Sequence, residues 1–151
     1  FVCCRGAQTL REAGLDVRAY PALATDAAPL LAAAMLCAEG ESSIEDVIFE
    51  RRFGCAAGFE RLGAKVQVNG RTLCIRPGGV LRGTELAAPD LRGGAALVVA
   101  ALAASGTTTI DRAELIERGY EDLVAKLQGL GADICSVEEP GESEELEAHI
   151  G

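Results

Sequence analysis

Aromatic side chains are scarce in this sequence: they make up 4% of its 151 residues, and tryptophan is absent. The hydrophobic core must therefore be built from alanine, valine, leucine and isoleucine. Because hydrophobic residues reach 49% of the chain, there are enough of them for one domain with a real core. Eighteen glycines indicate many tight turns and helix ends.

Long hydrophobic runs are also missing. The longest apolar run, residues 95–104, is shorter than the roughly 20 residues of a membrane-crossing helix. The first residues do not combine a basic segment, a hydrophobic stretch and a small-residue cleavage site, as a secretion signal would. We expect a soluble, cytoplasmic protein without a membrane partner. Because the chain begins with Phe1, we also expect it to be a fragment.

Basic residues are too few to balance the acidic ones, with 14 Lys and Arg against 23 Asp and Glu and a net charge of −9. This excess argues against a nucleic-acid partner, because such binding needs a basic face. It would also repel phosphorylated metabolites at long range. Any anionic substrate would therefore have to be held by a few well-placed arginines.

Typical metal-ligand spacings are absent as well. No Cys-x-x-Cys motif occurs, and the single histidine, His149, lies in the tail. We therefore expect no metal site and interpret the cysteines as buried, reduced thiols that pack as small hydrophobic residues. The six cysteines are Cys3, Cys4, Cys37, Cys55, Cys74 and Cys135.

What the sequence does contain is an internal repeat. Three segments share an apolar residue, a glycine four positions later and a β-branched residue three positions after that. They are residues 10–17, 59–66 and 127–134. This pattern predicts the last turn of a helix, a glycine at its C-terminal cap and then a strand.

The second and third copies extend upstream in the same way. In each, an aspartate precedes an apolar helix, and a glycine turn then leads to a strand. The predicted helices are residues 27–38 and 91–104, and the predicted strands are residues 42–47 and 107–111. An arginine, Arg52 or Arg118, lies eight residues beyond the isoleucine of each strand.

A hairpin extends the middle copy. Asn69-Gly70 is a type I′ turn signal between strands predicted over residues 65–68 and 72–76. Repeated units of this size bury their apolar faces against one another. We expect a remnant of a truncated repeat at 1–19, two repeats at 20–77 and 78–137, and a disordered, glutamate-rich tail at 138–151.

Four strings occur in order along the chain: YPALATD at 20–26, IFERRF at 48–53, PDLRGGAALV at 89–98 and ERGYE at 117–121. In order and spacing they resemble the C-terminal domain of the UDP-N-acetylglucosamine enolpyruvyl transferase family, over roughly residues 20–137. The resemblance implies an α/β fold, the inside-out α/β barrel built from βαβαββ units, of which this chain would form part.

The resemblance also implies a reaction. The family transfers the enolpyruvyl group of phosphoenolpyruvate to the 3′-hydroxyl of UDP-N-acetylglucosamine, the first committed step of peptidoglycan synthesis. It uses addition and elimination through a tetrahedral ketal, without a metal or organic cofactor. By resemblance, Asp26 matches the base at the sugar hydroxyl. Arg92 and Arg118 match arginines that hold phosphoenolpyruvate. Arg52 matches a charged site residue, and Ile48 matches a backbone contact to the nucleotide sugar. We expect Asp26 and the three arginines to face one open side of the domain.

The chain also departs from the family. The family's Lys-Asn pair and its proton-donating loop cysteine belong to a segment that is absent here, and none of the six cysteines matches that donor. We therefore expect a missing catalytic half-domain as partner. Residues 54–59 differ too, with Cys55 and two alanines where a histidine and a more polar helix start are expected.

Local pattern leaves other roles open for several of these residues. Asp26 precedes an apolar helix with Pro29 in its first turn, which is typical of an ordinary N-cap. Asp90 has the same ambiguity, and there we favour the cap. Arg118 has glutamates nearby in sequence with which it could form weak surface ion pairs. These are Glu114, Glu117 and Glu121.

Arg92 is the most informative position. It would lie in the first turn of a helix, where a cation opposes the helix dipole by a few tenths of a kcal/mol. An anion bound between Arg92 and the helix N-terminus would explain its presence. Gly93 and Gly94 each disfavour the helix by roughly 1 kcal/mol relative to alanine, and they would let the backbone come close to a ligand.

Two alternative functions stay open. The same fold serves 5-enolpyruvylshikimate-3-phosphate synthase, which we rank lower because residues 48–53 and 90–98 resemble the sugar-nucleotide branch. A non-catalytic, stand-alone module of the same fold would explain the acidic tail and the missing half.

Overall fold

The computed structural model describes residues 9–137, which are divided into two compact units, the first ending at Glu121 and the second beginning at Asp122. Residues 1–8 and the predicted acidic tail at 138–151 lie outside the described part, as do Cys3, Cys4 and His149. Within residues 9–137, no helix has the length and apolar character needed to span a membrane. The predicted boundaries at residues 19, 77 and 137 stay predictions.

The first unit contains a four-stranded mixed sheet. Its strands are β1 (Gly14–Val17), β2 (Ser42–Asp46), β3 (Lys65–Asn69) and β4 (Thr72–Arg76), in the spatial order β1-β2-β4-β3. Helix α1 (Ala28–Met35) connects the parallel pair β1 and β2, and helix α2 (Ala56–Leu62) leads to the antiparallel hairpin β3-β4. The chain order is therefore βαβαββ, as the resemblance implies.

A second strand-helix-strand segment follows in the same unit. Strands β5 (Glu85–Ala87) and β6 (Thr109–Asp111) are parallel and are joined through helix α3 (Leu91–Ala101), after which comes α4 (Glu114–Glu117). Leu15 pairs with Ile44 in the first segment, and Leu86 pairs with Ile110 in the second. The strand-helix-strand order and the parallel pairing of the isoleucine strand therefore occur in both segments. The two sheets of residues 9–137 do not close into a barrel.

Strand β5 is absent from the sequence-based prediction. It has only three residues and lies between Gly83 and Pro89, so its hydrophobic pattern is too short to be recognised. Pairing with β6 decides its conformation.

Helices α1 and α3 pack against each other beside the sheets. Most of α3 is buried, and α1 buries Ala28, Pro29, Ala32 and Ala33. Their all-round apolar sequences favour this enclosure. The predicted burial is confirmed for α3 and for one side of α1, since Ala34 is exposed.

Both helices end earlier than predicted, at Met35 and Ala101 rather than at residues 38 and 104. Beyond each end, backbone hydrogen bonds join residues that are three apart. Ala38 N–H donates to the Met35 carbonyl, and Ala104 N–H donates to the Ala101 carbonyl. Such turns satisfy the last carbonyls of a helix without extending it.

Turn and cap residues largely follow the predictions. Gly63 ends α2 in the left-handed region at φ 101°, and Gly70 in the hairpin turn has φ 61°. Asp90 caps α3, since its Oδ1 accepts a hydrogen bond of 2.8 Å from the Gly93 N–H. Gly14 is different: it lies inside β1 rather than at a helix cap.

The second unit is described by α5 (Leu123–Gly129) and the segment after it. Gly131 has φ 93°, as a helix-ending glycine should, but the strand predicted up to Ile134 does not form within residues 132–137. The corresponding strand β3 pairs with a hairpin partner after an Asn-Gly turn. No strand of residues 9–137 pairs with this segment.

The interpretation of the cysteines as buried is confirmed for Cys55, whereas Cys37 and Cys135 are exposed and Cys74 is half-buried. Cys37 follows the end of α1, and Cys135 lies in the irregular segment after α5. Burial raises the pKa of Cys55 to about 12, so this thiol stays protonated at neutral pH.

Gly93 and Gly94 serve packing rather than ligand approach, which corrects the expectation from sequence. A Cβ on Gly93 would lie 2.7 Å from Pro89 Cγ, and one on Gly94 would lie 2.6 Å from Ile116 Cγ1 and 2.9 Å from Ala88 Cβ. Both positions are buried, because α4 and the β5–α3 connection cover the first turns of α3.

We predict that Gly94→Ala lowers the free energy of unfolding by about 1–3 kcal/mol, because the added methyl group overpacks the contact with Ile116 and Ala88. Gly129→Ala is the matched control: it is also helical, but nothing lies within 4 Å of its Cβ position. It should leave stability unchanged or raise it by up to about 1 kcal/mol. Urea unfolding of both variants measures the difference, and equal midpoints would contradict the prediction.

Candidate functional site

Asp26 lies at the centre of a cluster of charged side chains. It belongs to a short 3₁₀ helix, Thr25–Ala27, immediately before α1. Its Oδ2 accepts a hydrogen bond of 3.0 Å from Arg92 Nη2, and its Oδ1 lies 3.6 Å from Arg52 Nη2. The cap position of α1 is Ala27 and makes no side-chain cap, so Asp26 does not play the ordinary capping role. Its side chain is 56% exposed and open to a ligand.

Arg52 is held more firmly than Asp26. Its side chain is 10% exposed, and its Nε donates a hydrogen bond of 2.9 Å to Thr25 Oγ1. The same Nε lies 3.6 Å from Asp46 Oδ2, and the guanidinium carbon lies 4.3 Å from the centroid of the Phe49 ring. Polar partners and a stacked aromatic ring therefore fix its orientation from several sides.

Asp46 is the fully buried carboxylate behind Arg52 and is absent from the sequence-based site. It is the last residue of β2 and shares the buried face of that strand with Ser42 and Ile44. Its carboxylate accepts hydrogen bonds from the Thr25 hydroxyl and from two backbone N–H groups in the following loop. An acidic residue at a core-facing position of an alternating strand was the signal that could have revealed it.

The loop after β2 presents the apolar residues Ile48 and Phe49, each about half exposed. Residues 48–51 line a shallow, open depression on the surface. The Ile48 N–H donates to Asp46 Oδ1 at 2.8 Å. A backbone contact from Ile48 to a ligand would therefore use its carbonyl oxygen.

Arg92 reaches Asp26 from the first turn of α3. Its Nη1 donates a hydrogen bond of 3.1 Å to Tyr120 Oη, and its guanidinium carbon lies 5.4 Å from the Tyr120 ring centroid. The hydrogen bond to Tyr120 is the main cause that raises the pKa of Arg92, so its positive charge persists at all ordinary pH values. Tyr120 lies in the ERGYE string, but no role for it was predicted from the sequence.

Arg118 is adjacent to this cluster without joining it. It follows α4 directly, is exposed, and makes no ion pair or side-chain hydrogen bond with other residues of the described part. Its neighbours in sequence contact α3: Ile116 lies against Gly94, and Tyr120 lies against Arg92. The Arg118 backbone is therefore beside the first turns of α3, while convergence of its side chain on Asp26 stays a prediction.

Together these contacts make one exposed carboxylate between two guanidinium groups from different repeats. Such a carboxylate can accept a proton from a hydroxyl group, and the N–H donors that the two arginines keep free can bind an anion. Within residues 9–137, no three His, Cys, Asp or Glu side chains are grouped as they would be around a metal ion.

The chain is similar to several known proteins. The family model described as EPSP synthase (3-phosphoshikimate 1-carboxyvinyltransferase) matches residues 5–127. UDP-N-acetylglucosamine 1-carboxyvinyltransferase 2 of Caldanaerobacter subterraneus subsp. tengcongensis is 42% identical over 118 residues, 78% of this chain and 28% of the relative. UDP-N-acetylglucosamine 1-carboxyvinyltransferase of Solidesulfovibrio magneticus is 45% identical over 123 residues, 80% of this chain and 30% of the relative.

Among solved structures, the enolpyruvyl transferase NikO from Streptomyces tendae aligns with a TM-score of 0.79 and 35% identity, over 89% of this chain and 31% of NikO. The chain thus spans less than a third of the length of each of these three proteins. The resemblance expected from the four strings is confirmed, and because the family model covers most of the chain, the chain belongs to the EPSP synthase (3-phosphoshikimate 1-carboxyvinyltransferase) family of enolpyruvyl transferases.

Proposed function

We propose that this chain supplies one side of the active site of an enolpyruvyl transferase that uses phosphoenolpyruvate and UDP-N-acetylglucosamine, in the cytoplasm. The observation that supports this most directly is the exposed Asp26 carboxylate between Arg52 and Arg92. The names of the curated relatives support the choice of acceptor. Because the chain spans about 30% of such relatives, we assign the rest of the pocket and the proton donor to a segment outside it.

In this proposal Asp26 is the base. A general base must lie within hydrogen-bond reach of the hydroxyl that it deprotonates, and the exposed Asp26 carboxylate can be reached by the 3′-hydroxyl of the sugar. Arg52 holds one carboxylate oxygen and Arg92 the other, so the carboxylate keeps a defined orientation.

Arg92 and Arg118 hold phosphoenolpyruvate. A guanidinium has five N–H donors in a planar fork, and Arg92 uses its two terminal nitrogens for one hydrogen bond each, to Tyr120 and Asp26. Donors therefore stay available for phosphate or carboxylate oxygens, and Arg118 has all of its side-chain donors free of partners in residues 9–137. The Ile48 carbonyl contacts the nucleotide sugar at the edge of the same cluster.

The bond changes are those of addition and elimination. The deprotonated sugar oxygen bonds to C2 of phosphoenolpyruvate while C3 gains a proton from the donor outside this chain, which gives a tetrahedral ketal. C3 then loses a proton, the bond between C2 and the phosphate oxygen breaks, and phosphate leaves with the electron pair. Asp26 and the arginines have to stabilise charge that moves between these oxygens.

Shikimate 3-phosphate is the second candidate acceptor, since the matching family model carries the name of the enzyme that uses it. The two acceptors differ in chemistry, so binding of each to the complete protein separates them. Binding of shikimate 3-phosphate without binding of UDP-N-acetylglucosamine would reverse our assignment.

We predict that Asp26→Asn in the complete protein lowers kcat by about 10²- to 10⁴-fold, because asparagine keeps the size of the side chain and cannot accept the proton. Affinity for UDP-N-acetylglucosamine should change much less. Steady-state release of phosphate and calorimetric binding measure the two effects. Unchanged kcat would remove Asp26 from the role of base.

Replacing Arg92 or Arg118 by lysine should raise the KM for phosphoenolpyruvate by about 10- to 100-fold, because lysine keeps the charge and loses the planar pair of donors. Binding of UDP-N-acetylglucosamine should be largely kept. Arg61→Lys, at an exposed position in the last turn of α2, is the matched control and should have no effect on KM. Equal KM values for all three variants would contradict the assignment.

The chain tested alone should release no phosphate from phosphoenolpyruvate and UDP-N-acetylglucosamine above a protein-free control, because we assign half of the pocket and the proton donor to a segment outside it. The complete protein, assayed in parallel, is the positive control. Turnover by the isolated chain would show that its own residues are sufficient and would overturn this division of the site.

A further inference from the structure

Asp46 is one of two buried polar residues among those that the structure describes, and the only charged one. A carboxylate in the protein interior is costly unless hydrogen bonds and a cation compensate for the loss of water. One carboxylate oxygen of Asp46 contacts Thr25 and Arg52, which are the residues that adjoin or contact Asp26.

The two oxygens of Asp46 have separate partners. Oδ1 accepts hydrogen bonds from the N–H groups of Ile48 and Phe49, at 2.8 and 2.9 Å. Oδ2 accepts the hydrogen bond of the Thr25 hydroxyl and lies 3.6 Å from Arg52 Nε. One oxygen therefore holds the loop after β2, and the other holds the residues next to Asp26.

The available donors and acceptors determine the direction of the hydrogen bonds at Asp46 Oδ2 and Thr25. Arg52 Nε can only donate, so Thr25 Oγ1 accepts its bond of 2.9 Å. The single hydroxyl proton of Thr25 then goes to Asp46 Oδ2. The chain of contacts runs from Arg52 through Thr25 to Asp46, and each group uses the donor or acceptor that it has.

This chain of contacts reaches Asp26 by two routes. Thr25 precedes Asp26 in the same 3₁₀ helix, so the bond to Asp46 anchors the backbone of Asp26. Arg52 Nη2 lies 3.6 Å from Asp26 Oδ1, so the orientation of the guanidinium acts on the carboxylate directly. Asp46 itself is fully buried and cannot touch a substrate.

We propose that Asp46 and Thr25 are positioning residues for the transfer reaction, which hold the Arg52 guanidinium and the backbone at Asp26 so that the Asp26 carboxylate meets the acceptor hydroxyl. This rests on the function proposed above. The competing explanation is that Asp46 only stabilises the fold. Ser42, on the same buried face of β2 and bonded to the Ala13 N–H, provides the comparison for that explanation.

Four variants of the complete protein separate the two explanations. Asp46→Asn keeps an oxygen for the two loop N–H groups and puts a donor where the Thr25 hydroxyl and Arg52 need an acceptor. Thr25→Val removes the hydroxyl, and Thr25→Ser restores it. Ser42→Ala removes a buried hydrogen bond at the opposite end of the same strand from Asp46.

With phosphoenolpyruvate and UDP-N-acetylglucosamine as substrates, we expect Asp46→Asn and Thr25→Val to lower kcat by about 10- to 100-fold with little change in the KM for phosphoenolpyruvate. Thr25→Ser should stay within about 3-fold of the parent protein, and Ser42→Ala should lose stability but not kcat. Unchanged kcat in Asp46→Asn and Thr25→Val, or an equal loss in Ser42→Ala, would overturn the proposal.

A second measurement does not depend on activity. Phenylglyoxal labelling, followed by peptide mass spectrometry, should modify the shielded Arg52 more slowly than the exposed Arg61. In Asp46→Asn and Thr25→Val, labelling of Arg52 should approach the Arg61 rate, and unchanged slow labelling would refute the positioning role. If the parent protein transfers to neither acceptor, the proposed function fails, and this labelling still decides whether Asp46 and Thr25 hold Arg52.

Discussion

Helices α1 and α3 pack against each other, and two residues of the candidate site, Asp26 and Arg92, lie at their N-terminal ends. Asp26 comes just before α1, and Arg92 lies in the first turn of α3, so the packing of the two helices is what brings these side chains to 3.0 Å. Both helices are built largely of small and aliphatic residues, which allow close approach. Gly94 also allows close packing, because the absence of a side chain leaves room for Ile116 against α3.

The cluster around Asp26 combines firmly held and accessible groups. Asp46 and Arg52 are buried or nearly so and have several partners each, whereas Asp26 and Arg118 are exposed. A catalytic carboxylate has to be open to its substrate and also well oriented. An exposed side chain is free to rotate, and contacts with buried neighbours can hold it in one orientation. On a chain with a net charge of −9, an anionic substrate would need such a local group of arginines.

Much of the local structure could be predicted from short-range patterns. The Asn69-Gly70 hairpin, the Asp90 cap and the glycine that ends α2 follow from backbone preferences of a few residues. The strand predicted near Ile134 was wrong, because a strand needs a partner and the pattern of one segment contains no information about its neighbour. For the same reason β5, with three residues, was missed.

By itself, the sequence determined the repeat, the apolar character of α1 and α3 and the family, and it pointed to Asp26, Ile48, Arg52, Arg92 and Arg118 through short strings. Only the tertiary structure decided that Asp26 bonds to arginines from both repeats instead of capping its own helix. It also decided that Asp46 and Tyr120 support those arginines. These contacts join residues far apart in sequence, and their geometry depends on how helices and strands pack, which no local pattern of residues can specify.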